Sequence, residues 1–268
     1  EIYSIKGLKA FLKLAEQKNL DSYPIHIKLD TGMHRLGFEA NTIQELISTL
    51  KGNHRVAVQS ILSHMATSDA EEHKAFSLSQ IRLFDELSSQ LMSELGIQPI
   101  RHILNTSGIS NFPEGQYDMV RLGIGLYGVS NDTKEQKYLE NVSTLKSVIS
   151  QIRTIPAGDS VGYGRRFMAH ESTTVATIPI GYADGISRLW GNEVGYVTIN
   201  QQKAPILGSV CMDMLMVNVN GIECAEGDPV VIFGESPTVM EMAQKTQTIP
   251  YEILTSISQR VKRVFYRE

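Results

Sequence analysis

The chain has 268 residues, 42% of them hydrophobic and 20% charged, with a formal net charge of -4. That length suits one large or two modest domains with a real core, and the charge gives no electrostatic case for nucleic acid or an acidic membrane as partner. Cys211 and Cys224 have no metal-like spacing, no apolar run can span a bilayer and no signal peptide is visible, so a reducing, cytoplasmic setting is expected. The first residue is Glu1 rather than Met, which suggests a piece of something longer.

Gly7 to Lys18 carries Leu8, Phe11, Leu12 and Ala15 at helical spacing. The run Ile25–Asp30 reads as a strand that breaks at Gly32 and delivers Lys28, Asp30 and Arg35 to one place. Thr42 to Leu50 is again helical, with Ile43, Leu46, Ile47 and Leu50. Val56 to Leu62 reads as a strand ending at Ser63 and His64. A long helix follows with Phe76, Ile81, Phe84, Leu87, Leu91 and Leu95 near one face, ended by Gly96. Ile100–Leu104 and Met119–Leu122 read as two further short strands. Alternating strands and helices with short connections imply parallel strands and right-handed crossovers. His64, Asn105 and Arg121 all stand at or past strand ends, the face that holds the site in a barrel of this kind.

Residues 131–137 form a polar linker, after which the character changes. Short β-rich runs follow at Leu145–Ile155, Thr173–Ile180, Val194–Asn200, Ala204–Leu207, Leu215–Val219 and Pro229–Phe233. Thr238 to Thr246 is predicted helical, with Thr238 as cap and Glu241 at the capping-box position, and Tyr251 to Gln259 as a second helix. The expected organisation is therefore α/β plus all-β: a partial (β/α) barrel over residues 1–141 and a β-rich domain over residues 142–268.

Lys28 lies in an otherwise apolar strand, where an unpaired ammonium is costly, so an anion is expected beside it. A histidine after a strand, such as His64, is more often structural than catalytic, and Thr67, Ser68 and Asp69 make a good helix cap there. Asn105-Thr106-Ser107-Gly108 reads either as an ordinary loop or as a phosphate-binding turn. Gly123, Gly125 and Gly128 mimic a dinucleotide fingerprint, but no clear helix follows, and they more plausibly let backbone approach a ligand. Tyr163 between Gly162 and Gly164, and Tyr182 after Gly181, are aromatics held on glycine turns. Met212-Asp213 precedes an apolar strand, and Tyr251 opens the last helix at its positive end.

Taken together, His26-x-Lys28-x-Asp30-Thr31-Gly32-Met33-x-Arg35-Leu36-Gly37, Met119-Val120-Arg121-x-Gly123-Ile124, Tyr163-Gly164, Ile180-Gly181-Tyr182-Ala183-Asp184-Gly185, Met212-Asp213 and Tyr251-Glu252 with Arg260-Val261-x-Arg263 run in one order over nearly the whole chain. In that order they resemble the bacterial alanine racemases, pyridoxal-phosphate enzymes with an α/β barrel and a C-terminal β domain. The resemblance implies roles. Tyr163 looks like the base that exchanges the α-proton on one face of the substrate, contributed across a homodimer interface to the partner's cofactor. Arg121 looks like the partner of the pyridine nitrogen, and His64 like the histidine that supports it. Arg35 looks like the residue that touches the cofactor's phenolic oxygen and the substrate carboxylate. Lys28 resembles a lysine often found carbamylated, which would itself supply the missing anion. Phosphate contacts are implied for Thr106, the backbone at Gly123 and Ile124, and Tyr251. Tyr182, Met212 and Asp213 look like the substrate-entry side contributed by the partner subunit.

One departure stands out. The family anchors its cofactor on a lysine in a motif of the form A-V-x-K-A-x-A-Y-G-H-G, and nothing in this sequence matches it. The expectation is thus the C-terminal portion of an alanine racemase, without the Schiff-base lysine and the early barrel strands, and inactive by itself. The parent would interconvert L- and D-alanine for peptidoglycan by two-base proton exchange. Two other readings remain: a racemase for another small amino acid such as serine, and a non-catalytic dimerisation module or tail of a cell-wall ligase–racemase fusion. Comparing L-alanine with L-serine separates the first, and the sequence upstream of Glu1 decides the second.

Overall fold

The structure is a computed structural model that describes residues 1–130 and 133–266. The chain divides into two compact units, one of Glu1–Leu126 with Ser130–Leu139, the other of Tyr127–Val129 with the chain from Glu140 onward.

The first unit alternates helix and strand: α1 (Ile5–Gln17), β1 (Tyr23–Lys28), α2 (Ile43–Leu50), β2 (Val56–Leu62), α3 (Lys74–Leu95), β3 (Ile100–His102) and the short α4 (Thr106–Asn111). The three strands pair in parallel in the order β1-β2-β3, and Ile2 bridges Ile27 in the same parallel sense at the β1 edge. α1 starts where Ser4 accepts the Gly7 N–H at 3.1 Å. α3 stops at Gly96, which takes the left-handed conformation expected of it. Leu8, Ile27, Leu46, Ile61, Phe84, Leu91 and Ile103 are buried together, so the helices cover the strands with their apolar faces.

Three expectations for this unit change. Met119–Leu122 is not a strand: it runs past β3 with two bonds, Asp118 N–H to Arg101 O and Arg121 N–H to Leu104 O, and never builds a ladder. Thr67, Ser68 and Asp69 do not cap α3, which begins at Lys74 without a side-chain cap. Ser68 instead donates to Asn105 Oδ1 at 2.6 Å. The polar linker over 131–137 contains a four-residue helix, α5 (Thr133–Gln136), and Glu135 accepts from Ser110 Oγ at 2.9 Å, which joins that stretch to the first unit. Residues 131 and 132 lie outside the described residues.

The second unit is built on a seven-stranded antiparallel sheet of β4 (Leu145–Val148), β5 (Gln151–Ile155), β8 (Thr173–Ile178), β9 (Tyr196–Ile199), β10 (Gln202–Leu207), β11 (Leu215–Asn218) and β12 (Pro229–Phe233), ordered β4-β12-β9-β10-β11-β8-β5. A separate small hairpin pairs β6 (Ser160–Val161) with β7 (Phe167–Met168). Trp190, Val197, Ile206, Leu215, Val230 and Ile232 fill its core. The helices α6 (Val239–Lys245) and α7 (Pro250–Ser256) follow the last strand. Thr238 accepts the Glu241 N–H at 3.1 Å as expected, but Glu241 turns its carboxylate to the Tyr196 hydroxyl at 2.7 Å, so the capping box is half formed. Among the described residues no helix is long and apolar enough to cross a membrane, and no cluster of His, Cys, Asp or Glu could hold a metal ion.

Candidate active site

In the first unit the polar residues gather at the carboxyl ends of the strands. β1 ends at Lys28, which is buried and pairs with Glu1 at 3.3 Å. The anion that the sequence calls for beside Lys28 is therefore a carboxylate on the neighbouring extended segment, which reaches it through the Ile2–Ile27 bridge. Beyond Lys28 the chain loops out and returns: Asp30 N–H donates to Phe38 O and Phe38 N–H to Lys28 O. Asp30 Oδ1 accepts the N–H groups of Gly32 (2.9 Å) and His34 (3.0 Å), tying the loop from inside. Gly37 closes it at φ +143°, where a Cβ would sit 2.4 Å from Asp30 N. Arg35 rides on this loop, exposed, with no hydrogen bond or ion pair among the described residues.

Arg121 is the centre of the group. Its Nη2 donates to the Ser63 carbonyl, to the Ile103 carbonyl at 3.0 Å, and faces His64 Nδ1 at 3.3 Å. Burial, helped by the nearby Arg35 charge and opposed by Glu1, pushes its pKa down. Its Nε is buried and finds no acceptor among the described residues. His64 is held down to about 4 by burial first, then by the charges of Arg121, Arg35 and Lys28. The likeness of His64 to a supporting histidine thus gains a geometric basis that strand position alone could not supply.

Thr106, buried at the start of α4, collects two loop amides: its Oγ1 accepts from Gly123 N–H at 2.9 Å and Gly125 N–H at 3.3 Å. Asn105 caps α4 by accepting the Gly108 N–H at 3.0 Å. The glycines of this stretch do allow close approach, but to the protein itself. A Cβ on Gly125 would meet Thr106 Cγ2 at 2.7 Å, and one on Gly128 would meet Glu140 O.

The sequence gives His26 a place in a motif but no role, and singles out neither Ser60 nor His102. His26 Nδ1 lies 2.7 Å from Ser60 Oγ, and His102 Nε2 lies 3.3 Å from the same hydroxyl. His102 is buried, its Nδ1 has no partner, and burial followed by the Arg121 charge lowers its pKa to about 4. The signal was a polar side chain inside each strand, and the parallel register sets His26 directly beside Ser60. A pocket of about 480 Å³ opens over these residues, lined also by Glu1, Met119 and Arg121.

The second unit carries the other candidates. Tyr163 sits on a short turn between β6 and β7, flanked by Gly162 and Gly164 at positive φ, with 76% of its surface exposed. Tyr182 and Met212 are exposed and adjacent: Tyr182 N–H donates to Cys211 O (3.0 Å) and Ala183 N–H to Met212 O (2.9 Å). Tyr251 is the second residue of α7 and is partly exposed. The 208–214 stretch is common to these turns, since Gly162 approaches the Ser209 carbonyl and Gly181 the carbonyls of Cys211 and Met212.

The donor set of the first unit fits pyridoxal phosphate. An arginine whose buried Nε–H meets no acceptor among the described residues suits an uncharged ring nitrogen, and the Thr106 hydroxyl, which accepts two amides and can donate its own O–H, suits a phosphate ester.

Comparison with known proteins gives one consistent picture. The family profile for the N-terminal domain of alanine racemase matches residues 1–131, and that for the C-terminal domain matches residues 142–265. Sequence of both domains is thus present, rather than of the C-terminal portion alone. An alanine racemase of Helicobacter acinonychis is 38% identical over 98% of this chain and 73% of its own length. The crystal structure of alanine racemase from D-cycloserine-producing Streptomyces lavendulae superposes with a TM-score of 0.91 at 31% identity, covering 100% of this chain and 72% of that one. An alanine racemase from Bartonella henselae with covalently bound pyridoxal phosphate gives 0.84 at 32% identity, covering 98% and 72%.

Proposed function

The chain belongs to the alanine racemase family, and we propose that its protein interconverts L- and D-alanine with pyridoxal 5'-phosphate. The observation that carries this reading is Arg121, a half-buried cation whose Nη2 is engaged by protein carbonyls while its buried Nε has no acceptor among the described residues. That N–H is aimed for a ring nitrogen. When bound, the cofactor supplies an electron sink that acidifies the substrate α-carbon.

The chain's own residues do the rest. Arg121 remains protonated and donates to the ring nitrogen, so that nitrogen keeps no proton of its own. His64 stays neutral beside it and adds no competing charge. Thr106 donates its O–H to the phosphate beside the backbone of Gly123 and Ile124. Arg35, unpaired among the described residues, receives the substrate carboxylate. Tyr163 works one face of the substrate in the site of a second copy of the chain: its phenolic oxygen takes the α-proton from one enantiomer, or delivers it when the reaction runs the other way, while the second base serves the opposite face. Tyr182, Met212 and Asp213 line the way in. The family's second base is the lysine of the A-V-x-K motif, which has no counterpart in residues 1–268. The D-alanine product supplies peptidoglycan.

Replacing Tyr163 by Phe in the full-length protein tests the reading. Tyr163 is largely exposed, so folding should be unaffected, and kcat should fall by about 10²–10⁴-fold. Undiminished racemisation by the variant would refute the assignment. The ratio of kcat/KM for L-alanine to that for L-serine decides the substrate.

A further inference from the structure

Three stretches of the β-rich unit meet at one side chain. Arg260, four residues beyond α7, donates from Nε to Asp184 Oδ1 at 2.7 Å and from Nη2 to Asp213 Oδ1 at 2.7 Å. Asp184 is buried, and its other oxygen accepts the Gly181 N–H at 2.9 Å. Burial alone would push that carboxyl up, but the bonds from Arg260 and Gly181 prevail and hold it below the usual carboxylate range. The same segment adds two bonds, Ser258 N–H to Asp184 O and Ser256 Oγ to Gly185 O. The Gly181 turn in turn touches the third stretch: a Cβ there would sit 2.3 Å from Cys211 O, and the Tyr182 and Ala183 amides donate to Cys211 and Met212.

We propose that Arg260 is a positioning residue for the racemase reaction: by gripping Asp184 and Asp213 at once, it sets Tyr182 and Met212 in register with each other and with the end of α7. The inference rests on the roles given to those residues above. Its logic is geometric. Asp184 and Asp213 lie on different turns, and a guanidinium offers N–H groups in a rigid fork that reaches both. A lysine presents one compact ammonium and cannot reproduce that grip. Tyr182 and Met212 are mostly outside the core, so packing does little to place them. The turn bonds and the Arg260 fork do that instead.

Arg260→Lys and Asp213→Asn in the full-length protein with its cofactor test this. The first leaves the charge but loses the fork, and the second breaks only the exposed half. In hydrogen exchange, the Tyr182 and Ala183 amides should exchange roughly tenfold faster in Arg260→Lys and by a smaller factor in Asp213→Asn, with β8–β11 amides unchanged. In Arg260→Lys, KM for L-alanine should rise roughly tenfold while kcat stays within about threefold. Unchanged exchange at both amides overturns the proposal. So does acceleration spread over the whole sheet with a lower Tm and no change in KM, which marks a purely structural tie. If Arg260→Lys does not fold, the exchange rates of the Tyr182 and Ala183 amides in Asp213→Asn decide. A wild type that fails to racemise alanine refutes the proposed function, while the exchange data still decide whether Arg260 holds the two turns.

Discussion

Arg121 Nη2 stands 3.3 Å from His64 Nδ1, and only one partition of protons suits that pair. A guanidinium has donors and no acceptor, so Nδ1 must be the accepting nitrogen and the ring proton sits on Nε2. The depression of His64 to about 4, caused first by burial and then by Arg121, agrees with a ring that stays neutral through the neutral range. Because Arg121 also holds the carbonyls of Ser63 and Ile103, it joins the ends of β2 and β3.

Truncating Arg121 should therefore cost on two accounts. Arg121→Ala leaves two carbonyls without their donor, and a loss of about 1–3 kcal/mol is expected. Chemical denaturation reads that loss, and fluorescence titration with pyridoxal phosphate should show weaker binding. A variant as stable as wild type would mean that water replaces the guanidinium at no cost.

The two depressed histidines set an acid limit. His64 and His102 titrate near 6.5 when unfolded and near 4 when folded, so below about 6.5 the unfolded chain binds more protons. Stability should be full above that pH and fall as pH drops from about 6.5 to about 4, by on the order of 1–2 kcal/mol per ring once solvent screening is allowed for. Tm measured against pH reads the slope, and His102→Asn should flatten it. A Tm that holds steady over this window contradicts the argument.

Thr106 has one hydroxyl serving two amides. Thr106→Val keeps the shape, removes the acceptor for Gly123 and Gly125, and should destabilise by about 1–3 kcal/mol. Thr106→Ser should recover most of the loss, and should also recover affinity for the cofactor's phosphate. Equal behaviour of Val and Ser would show that the hydroxyl is dispensable.

Gly37 closes the loop that carries Arg35. A methyl group there would collide with Asp30 N and Leu29 C at a backbone angle that L residues avoid, so Gly37→Ala should cost at least about 2 kcal/mol. Gly52→Ala, also at positive φ but in open space, is the control and should cost about 1 kcal/mol or less. The urea midpoints of the two variants, compared side by side, test the difference.

Much of this was legible in local pattern. The amphipathic spacing of Ile43, Leu46, Ile47 and Leu50 predicts α2, and Gly96 stops α3 where the sequence puts it. Met119–Leu122 misled because an apolar stretch with an arginine resembles a short strand, and only its two bonds to the end of β3 show that no ladder forms. Thr67–Asp69 misled in a similar way, since Ser68 finds Asn105 from another segment before it can cap a helix.

By itself the sequence determined the alternation of helix and strand, the switch to β structure after the linker, and the ordered motifs that place the chain among the alanine racemases. Those features depend on near neighbours, where periodicity and turn chemistry act directly. The tertiary structure alone decided the partnerships: Glu1 beside Lys28, His26 and His102 about Ser60, Arg121 against His64, and Arg260 across Asp184 and Asp213. Each joins residues tens of positions apart, and no local propensity encodes which distant charge or hydroxyl a folded chain will bring within 3 Å or so.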